Sequence, residues 1–288
     1  MIIECVFNIA LEKLNIGATC AGEKLNNLKF ADDVNLITEK IRVLRNLTDA
    51  VNKTSRKFGL NINESKTKVM AIEKIKSNKQ MNIQVNGQML EQVTAFKYVG
   101  GILENNGSNE EDIKTKITKG LQTMGRLKKL WRKNSISTNC KLKIYNAIVV
   151  PQMTYGSETW TIKKTDENRL LVAEMSCLRQ ILGVSRLQKL RNKSIREKVG
   201  LQINIIERIR EKRLAWFGHV CRMKSNKWPY KALHTKVEGK RSRGRPRKRW
   251  TDNINEDLEI KNSNMTEAGR KAEERTEWKK FLSSYCRN

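Results

Sequence analysis

The chain has 288 residues, of which 38% are hydrophobic and 31% charged, and its 58 Lys and Arg outweigh 30 Asp and Glu to give a formal charge of +28. No apolar run approaches the roughly 18 residues that a membrane span needs, and six widely spaced cysteines without a C-x-x-C pair argue against a disulfide framework. The positive charge instead predicts a polyanionic partner, with nucleic acid ahead of an anionic membrane surface; a generally lysine-rich proteome is the remaining explanation.

The first predicted element is an amphipathic helix near the amino terminus, on which Phe7, Leu11 and Leu14 share one face. No capping residue precedes this helix, so we expect that a segment upstream belongs with it. A second helix is expected over residues 41–58, and Gly59 follows it at the position of a glycine cap.

Between these helices, the stretch LKFADDVNLI at residues 28–37 places Asp32 and Asp33 between two apolar flanks. Asp is a poor strand former and favours turns. The pair is therefore either a solvated hairpin tip or a sheet end that holds positive charge. Nucleotide transfer uses two divalent ions, and magnesium accepts carboxylate ligands, so adjacent aspartates at a hairpin turn fit the second interpretation.

Short strands are predicted to follow up to about residue 105. Asn86 and Gly87 supply the two positive-φ positions of a type I′ hairpin turn. Residues 96–103 are predicted as a further strand, in which two successive glycines permit a bend. Together these elements predict an α+β unit.

A long helix is predicted next, with Ser108 and Glu111 as its capping box. Apolar and basic residues alternate along it at helical spacing, which predicts one buried and one exposed face. The buried face is predicted to contain Ile113, Ile117, Leu121, Met124, Leu127 and Trp131, and the exposed face Lys114, Lys116, Lys119, Arg126, Lys128, Lys129 and Arg132.

Three more helices are expected in the middle of the chain, which is therefore mainly helical. They are residues 140–149, ended by Pro151; residues 166–182, ended by Gly183; and a helix capped by Ser194 with Glu197.

The last third of the chain is its most basic part. Residues 201–250 hold 16 Lys and Arg against 3 Glu. Gly244 and Pro246 rule out a continuous helix through the stretch GKRSRGRPRKRW. After it, Asn264 and Glu267 predict a capped final helix.

The tetrad FADD at residues 30–33 resembles the Y/F-A-D-D signature of reverse transcriptases. The segments that follow it resemble, in order and over nearly the whole chain, the non-LTR retrotransposon (LINE-type) branch of that family. These segments are FGLNINESKTKVM after the catalytic hairpin, FKYVGGILENNGS at the primer grip, KLKIYNAIVVPQMTYGSETW and LVAEMSCLRQILG in the thumb and connection, and RLAWFGHVCRM and GRPRKRWTDNINEDL in the C-terminal tail.

The resemblance implies a magnesium-dependent RNA-directed DNA polymerase as the parent enzyme, acting on an RNA template, DNA and deoxynucleotides. It makes Asp32 a metal ligand and Asp33 a neighbour with a weaker role. It places Lys66 where the family has a lysine that protonates the departing pyrophosphate, although a charge-stabilising surface lysine is an equal alternative. Tyr98 and Gly100 would belong to the primer grip, or to a packed edge strand.

The chain also departs from the family pattern. The family has a further metal-binding aspartate and a fingers region upstream, whereas residues 1–29 contain no Asp. We therefore expect the chain to be the C-terminal part of a polymerase, a degenerate copy or an incomplete gene model. Its magnesium site would be incomplete, and we expect no polymerisation by this chain alone.

The stretch RGRPR at residues 243–247 resembles the core of an AT-hook, whose arginines enter the minor groove of A·T-rich DNA. A plain charge run, serving nuclear import or phosphate contact, is the main alternative. Trp216, Phe217 and Trp250 interleave with the charges and would either stack on bases or pack within helices. The predicted nucleic-acid-binding residues are Arg241, Arg243, Arg245, Arg247, Lys248 and Arg249, and the predicted location is nuclear, with no membrane partner.

Two classes of function therefore compete: a fragment of a reverse transcriptase, and a non-catalytic nucleic-acid-binding protein derived from the same element. The predicted fold class is α+β. The predicted domains are a partial reverse transcriptase palm at residues 1–105, a mainly helical thumb and connection at residues 106–200, and a basic helical region that binds nucleic acid at residues 201–288.

Overall fold

The computed structural model describes residues 2–11, 16–72, 80–235 and 247–283. Their secondary structure is mostly helical with small β-hairpins, which confirms the predicted α+β class. The chain divides into two compact units, one of residues 1–108 with 231–238 and one of residues 109–230 with 239–288. The division into three functional domains stays a prediction.

Within its described residues up to residue 108, the first unit contains two helices and ten short strands. Four strand pairs are antiparallel hairpins, and the pair β5–β8 is parallel. The elements are α1 (Ile2–Leu11), β1 (Ala18–Cys20), β2 (Glu23–Leu25), β3 (Asn27–Phe30), β4 (Asp33–Leu36), α2 (Ile41–Lys57), β5 (Lys68–Val69), β6 (Gln84–Val85), β7 (Gln88–Met89), β8 (Glu91–Gln92), β9 (Ala95–Tyr98) and β10 (Gly101–Glu104).

Helix α2 packs on α1 around a small core that contains Phe7, Leu11, Leu47 and Val51. The helix ends at Lys57, one residue before its predicted end, and Phe58 is 44% exposed. The glycine cap is confirmed: Gly59 has φ of 71° and its N–H donates to Arg56 O at 3.1 Å. Leu14 lies outside the described residues.

The strands of the first unit turn back on themselves at short positive-φ turns. The predicted Asn86-Gly87 turn is confirmed, with φ of 55° and 80° between β6 and β7. Residues 96–103 form a hairpin instead of the predicted single strand. Val99 and Gly100, with φ of 46° and 79°, reverse the chain between β9 and β10.

The second unit is helical and holds the largest core. Helices α3, α5, α7, α8 and α9 contribute most of its buried apolar residues. The helices are α3 (Glu110–Arg126), α4 (Lys128–Trp131), α5 (Thr138–Ile144), a π-helical turn (Tyr145–Val149), α6 (Val150–Met153), α7 (Lys164–Leu182), α8 (Asn192–Val199), α9 (Ile205–Cys221), α10 (Trp228–His234), α11 (Trp250–Ile260), α12 (Met265–Glu273) and α13 (Arg275–Ser283), and α10 crosses the boundary between the units.

Helix α3 differs from its prediction on both faces. It begins at Glu110 with Asn109 as its N-cap, one residue after the predicted Ser108. Leu121, predicted as buried, is 38% exposed. Lys116, predicted as exposed, is buried, because Asp112 lies 3.8 Å from its ammonium group within the helix.

Two further helix ends also differ from prediction. Pro151 does not end its helix, since a wider π-helical turn comes just before it and the chain continues helically to Met153. Helix α8 begins at Asn192, so Ser194 lies inside it and does not cap it. The Gly183 and Asn264 caps are confirmed: Gly183 has φ of 69°, and Asn264 Oδ1 accepts a hydrogen bond from Glu267 N–H at 3.0 Å.

Candidate functional site

The two aspartates lie at the tip of the β3–β4 hairpin. Phe30 pairs with Asp33, so Ala31 and Asp32 form the two-residue turn. Strand β3 ends at Phe30, so Ala31 lies in the turn and not in the strand. Ala31 has a positive φ of 53°, a left-handed conformation that an L side chain adopts at a cost of about 1 kcal/mol or more.

The hairpin tip is open to solvent. Asp32 and Asp33 are both exposed, and Phe30 before them is 60% exposed. Neither carboxylate forms an ion pair with another described residue. The pair therefore lies at the end of a two-stranded sheet. Both interpretations of the sequence, a solvated hairpin tip and a sheet end that holds positive charge, predict this position.

A two-ion magnesium site needs carboxylates from more than this turn. Such a site clamps both the attacking and the leaving oxygen, and hard oxygen ligands surround each ion. Among the described residues, no group of three or more His, Cys, Asp and Glu is arranged to hold a metal ion. The residues that the structure describes therefore do not complete such a site, and the metal-binding role of Asp32 and Asp33 stays a prediction.

The other predicted catalytic residues lie on separate elements. Lys66 is exposed in the turn before β5, where its N–H donates to Asn63 Oδ1 at 3.0 Å. No hydrogen bond or ion pair joins Lys66 to Asp32 within the described part of the chain. Tyr98 is the half-buried last residue of β9, and Gly100 follows it in the hairpin turn. Their catalytic and primer-grip roles stay predictions.

The predicted nucleic-acid-binding residues are described in part. Arg241, Arg243 and Arg245 lie outside the described residues. Residues 247–249 precede α11 directly, with both arginines exposed and Lys248 Nζ 2.6 Å from Glu256 Oε2. The described end of the basic segment is therefore joined to a helix of the second unit.

Helix α11 is fixed to the second unit by polar groups near its start. Trp250 Nε1–H donates to Glu158 O at 2.8 Å, so this indole is partly buried against protein. Asn253 Oδ1 accepts a hydrogen bond from Ile162 N–H at 2.9 Å, and its Nδ2 donates to Ile162 O at 3.2 Å. The side chain of Asn253 thus satisfies both backbone groups of Ile162, as a neighbouring strand would.

One turn further along α11, a buried ion pair completes this attachment. Arg213 of α9 donates to Asp257 through Nε at 2.7 Å and Nη2 at 3.0 Å, and both side chains are buried. Sequence reasoning missed Asn253 and Asp257. The sequence pattern that could have identified them is their spacing of four residues. On a helix, this spacing puts both polar side chains on the face that also contains the buried Ile254 and Leu258.

Comparisons with known proteins show what the chain is similar to. No protein-family model matches the chain. It is 25% identical over 266 residues to a transposon-derived protein of Caenorhabditis elegans, which covers 89% of this chain and 95% of that protein. It is also 28% identical over 169 residues to the RNA-directed DNA polymerase from mobile element jockey of Drosophila funebris.

The jockey polymerase of Drosophila melanogaster is 24% identical over 163 residues. Each polymerase alignment covers 54% of this chain and 18% of the polymerase, so the chain spans less than a fifth of the length of these enzymes. None of the described helices is both long and apolar enough to cross a membrane. The three similarities support an origin of the chain in a LINE-type retroelement.

Proposed function

We propose that the chain corresponds to the C-terminal portion of a LINE-type RNA-directed DNA polymerase, with the end of the palm, a helical thumb and connection, and a basic tail. The β3–β4 hairpin carries the proposal, because FADD folds there as a strand end and a turn with both carboxylates at an exposed tip. The similarity to two jockey polymerases over 54% of the chain supports it.

We further propose that this chain does not copy a template by itself. Two-ion catalysis requires carboxylates beyond Asp32 and Asp33, and the described residues supply no third ligand beside them. In the parent enzyme, magnesium would supply the charge stabilisation of nucleotidyl transfer. The residues of this chain would then provide one edge of that site.

Primer extension on an RNA template tests this proposal. The chain, Asp32→Asn and Asp33→Asn are incubated with template, primer, deoxynucleotides and magnesium. We expect no synthesis by the chain above the level of Asp32→Asn. Clear synthesis that depends on Asp32 would overturn the proposed inactivity.

The second candidate function is a non-catalytic protein that binds nucleic acid, with an AT-hook-like contact to duplex DNA. The formal charge of +28 and the exposed Arg247 and Arg249 just before α11 favour it. Each phosphate neutralised by Lys or Arg releases counterions, so affinity for duplex DNA and RNA should fall steeply as salt rises. A flat salt response would contradict both candidate functions, and an AT-hook contact requires tighter binding to A·T-rich than to G·C-rich duplexes.

A further inference from the structure

One side of helix α9 carries cations and aromatic rings together. Arg208, Lys212, Trp216 and His219 recur at intervals of four, four and three residues, so they lie on one side of the helix. Lys212 and His219 are exposed and the other two are half-buried, and the rings of Trp216 and His219 have centroids 5.4 Å apart. These four residues, here named the α9 row, extend over roughly 16 Å at 1.5 Å per residue.

The cations of the α9 row are held in place by neighbouring groups. Arg208 Nη2 donates to Asn146 Oδ1 at 3.1 Å. Lys212 Nζ donates to both the carbonyl and the hydroxyl oxygen of Thr154 at 2.9 Å. These contacts restrict side chains whose immobilisation would otherwise oppose binding.

A further ring and the described end of the basic segment lie at the same turn. Tyr155 follows the threonine that Lys212 contacts, and its side chain is 53% exposed. Three residues on, Glu158 O accepts the hydrogen bond from Trp250, which places residues 247–249 beside this turn. Although the Lys212 side chain is exposed as a whole, its ammonium group lies against Thr154, and the resulting desolvation lowers the pKa of Lys212; Glu158 opposes this effect.

The local charge favours a polyanion as the partner. Residues 113–157, which end just after Tyr155, contain ten Lys and Arg and no Asp or Glu; eight of the ten are exposed, whereas Lys116 and Lys141 are buried. A surface that combines cations with accessible rings suits nucleic acid whose bases are unpaired, because the cations contact phosphates and the rings stack on base faces. In a duplex the base faces are stacked on one another, so side-chain rings do not reach them.

We propose that the α9 row and Tyr155 form a binding site for single-stranded nucleic acid, with Trp216 and Tyr155 stacking on unpaired bases and Arg208 and Lys212 contacting phosphates. The proposal rests on the proposed function in one respect, that the chain binds nucleic acid. It adds the class of partner and the residues that recognise it.

Fluorescence anisotropy of the full chain with labelled oligothymidylate and with a duplex of equal length tests the proposal. Tyr155→Leu and Trp216→Leu keep the charge and leave an apolar side chain but remove a ring, and each should weaken binding to the single strand about five-fold to a hundred-fold. Duplex binding should change less than two-fold. The matched control is Phe58→Leu, an exposed ring of the first unit, which should change neither affinity.

Photocrosslinking of the wild-type chain gives a second readout that does not depend on how a variant folds. Oligothymidylate with 5-iodouracil should crosslink to Trp216 or Tyr155. Equal losses on single strand and duplex, unchanged affinities in both ring variants, or crosslinks confined to other residues would overturn the site. Wild-type chain that binds neither nucleic acid would overturn the proposed function itself.

Discussion

At the residue scale, Gly218 shows how closely two helices of the second unit approach. A Cβ at Gly218 of α9 would lie 2.1 Å from Trp278 Nε1 of α13. The indole is buried and donates to Leu214 O at 3.2 Å, so it cannot move away without losing this hydrogen bond. The absence of a side chain at Gly218 therefore lets α13 pack on α9.

Gly218→Ala should lower the free energy of unfolding by about 1–3 kcal/mol, because the indole must shift in a packed core. Gly269→Ala is the matched control, since a Cβ there meets no atom within 4 Å. Alanine has a higher helix propensity than glycine has, so Gly269→Ala should be neutral or stabilise the folded state by up to about 1 kcal/mol. Urea denaturation measures both variants, and equal effects would contradict this account of Gly218.

Glu174 is a buried carboxylate whose pKa differs from that of an exposed one. It accepts hydrogen bonds from Ile205 N–H at 2.7 Å and Arg196 Nη2 at 3.2 Å. Burial raises the pKa of Glu174, because desolvation of the charged form outweighs these contacts. The folded state therefore binds this proton more tightly than the unfolded state.

A group whose pKa is higher in the folded than in the unfolded state contributes its full stabilisation at pH values below its unfolded-state pKa. This contribution is lost as the pH rises through its folded-state pKa. Glu174→Gln removes this titration, so the free energy of unfolding of the variant minus that of wild type should become more positive from about pH 4 to pH 7. Urea denaturation at each pH measures this difference. The exposed Glu197→Gln is the control, and a Glu174→Gln difference as flat as the control would contradict the raised pKa.

At the scale of elements, sequence patterns predicted the parts whose conformation depends on local chemistry. The Asn86-Gly87 turn and the Gly183 cap follow from positive φ, which a few residue types adopt easily. Lys116 was placed on the wrong face because its partner, Asp112, lies one turn away and periodicity does not register such pairs. Pro151 was misjudged because a π-helical turn absorbs its missing N–H.

In the candidate site, too, the sequence predicted the features that depend on neighbouring residues but not those that depend on distant contacts. The hairpin tip with Asp32 and Asp33 follows from two turn-forming residues between apolar flanks. The attachment of α11 was not predicted, because Asn253 contacts Ile162, a residue 91 positions away along the chain. Contacts over such a separation depend on tertiary packing.

Asn253→Ala should lower the free energy of unfolding by about 2–3 kcal/mol, since it leaves buried N–H and C=O groups of Ile162 without their partner. Asn255→Ala, an exposed position on the same helix, should change it by less than about 0.5 kcal/mol. Thermal denaturation of the two variants measures the difference. Equal midpoints would show that α11 is not held by Asn253.

At the scale of the whole molecule, the two units are stabilised differently. The first relies on small clusters and on sheets that, among the described residues, have two strands each. Such hairpins are marginally stable without further strands or a packed helix. The second unit has a continuous helical core and buried ion pairs. Within the proposed function, the first unit would correspond to a palm edge and the second to a helical region with a core of its own.

The overall charge is consistent with both candidate functions. A formal charge of +28 repels itself in a compact chain, and phosphates would relieve that repulsion in either function. Binding alone therefore does not separate a polymerase fragment from a binding protein. Tighter binding to A·T-rich than to G·C-rich duplexes, which only the AT-hook contact of the second candidate requires, does separate them.

The most direct test of the central claim follows binding and extension of one annealed RNA template and DNA primer in the same reaction. We expect the wild-type chain to bind the template and primer, to lose affinity steeply with salt, and to extend the primer no further than Asp32→Asn. Extension by the wild-type chain that disappears in Asp32→Asn would contradict the claim that this chain holds an incomplete catalytic site.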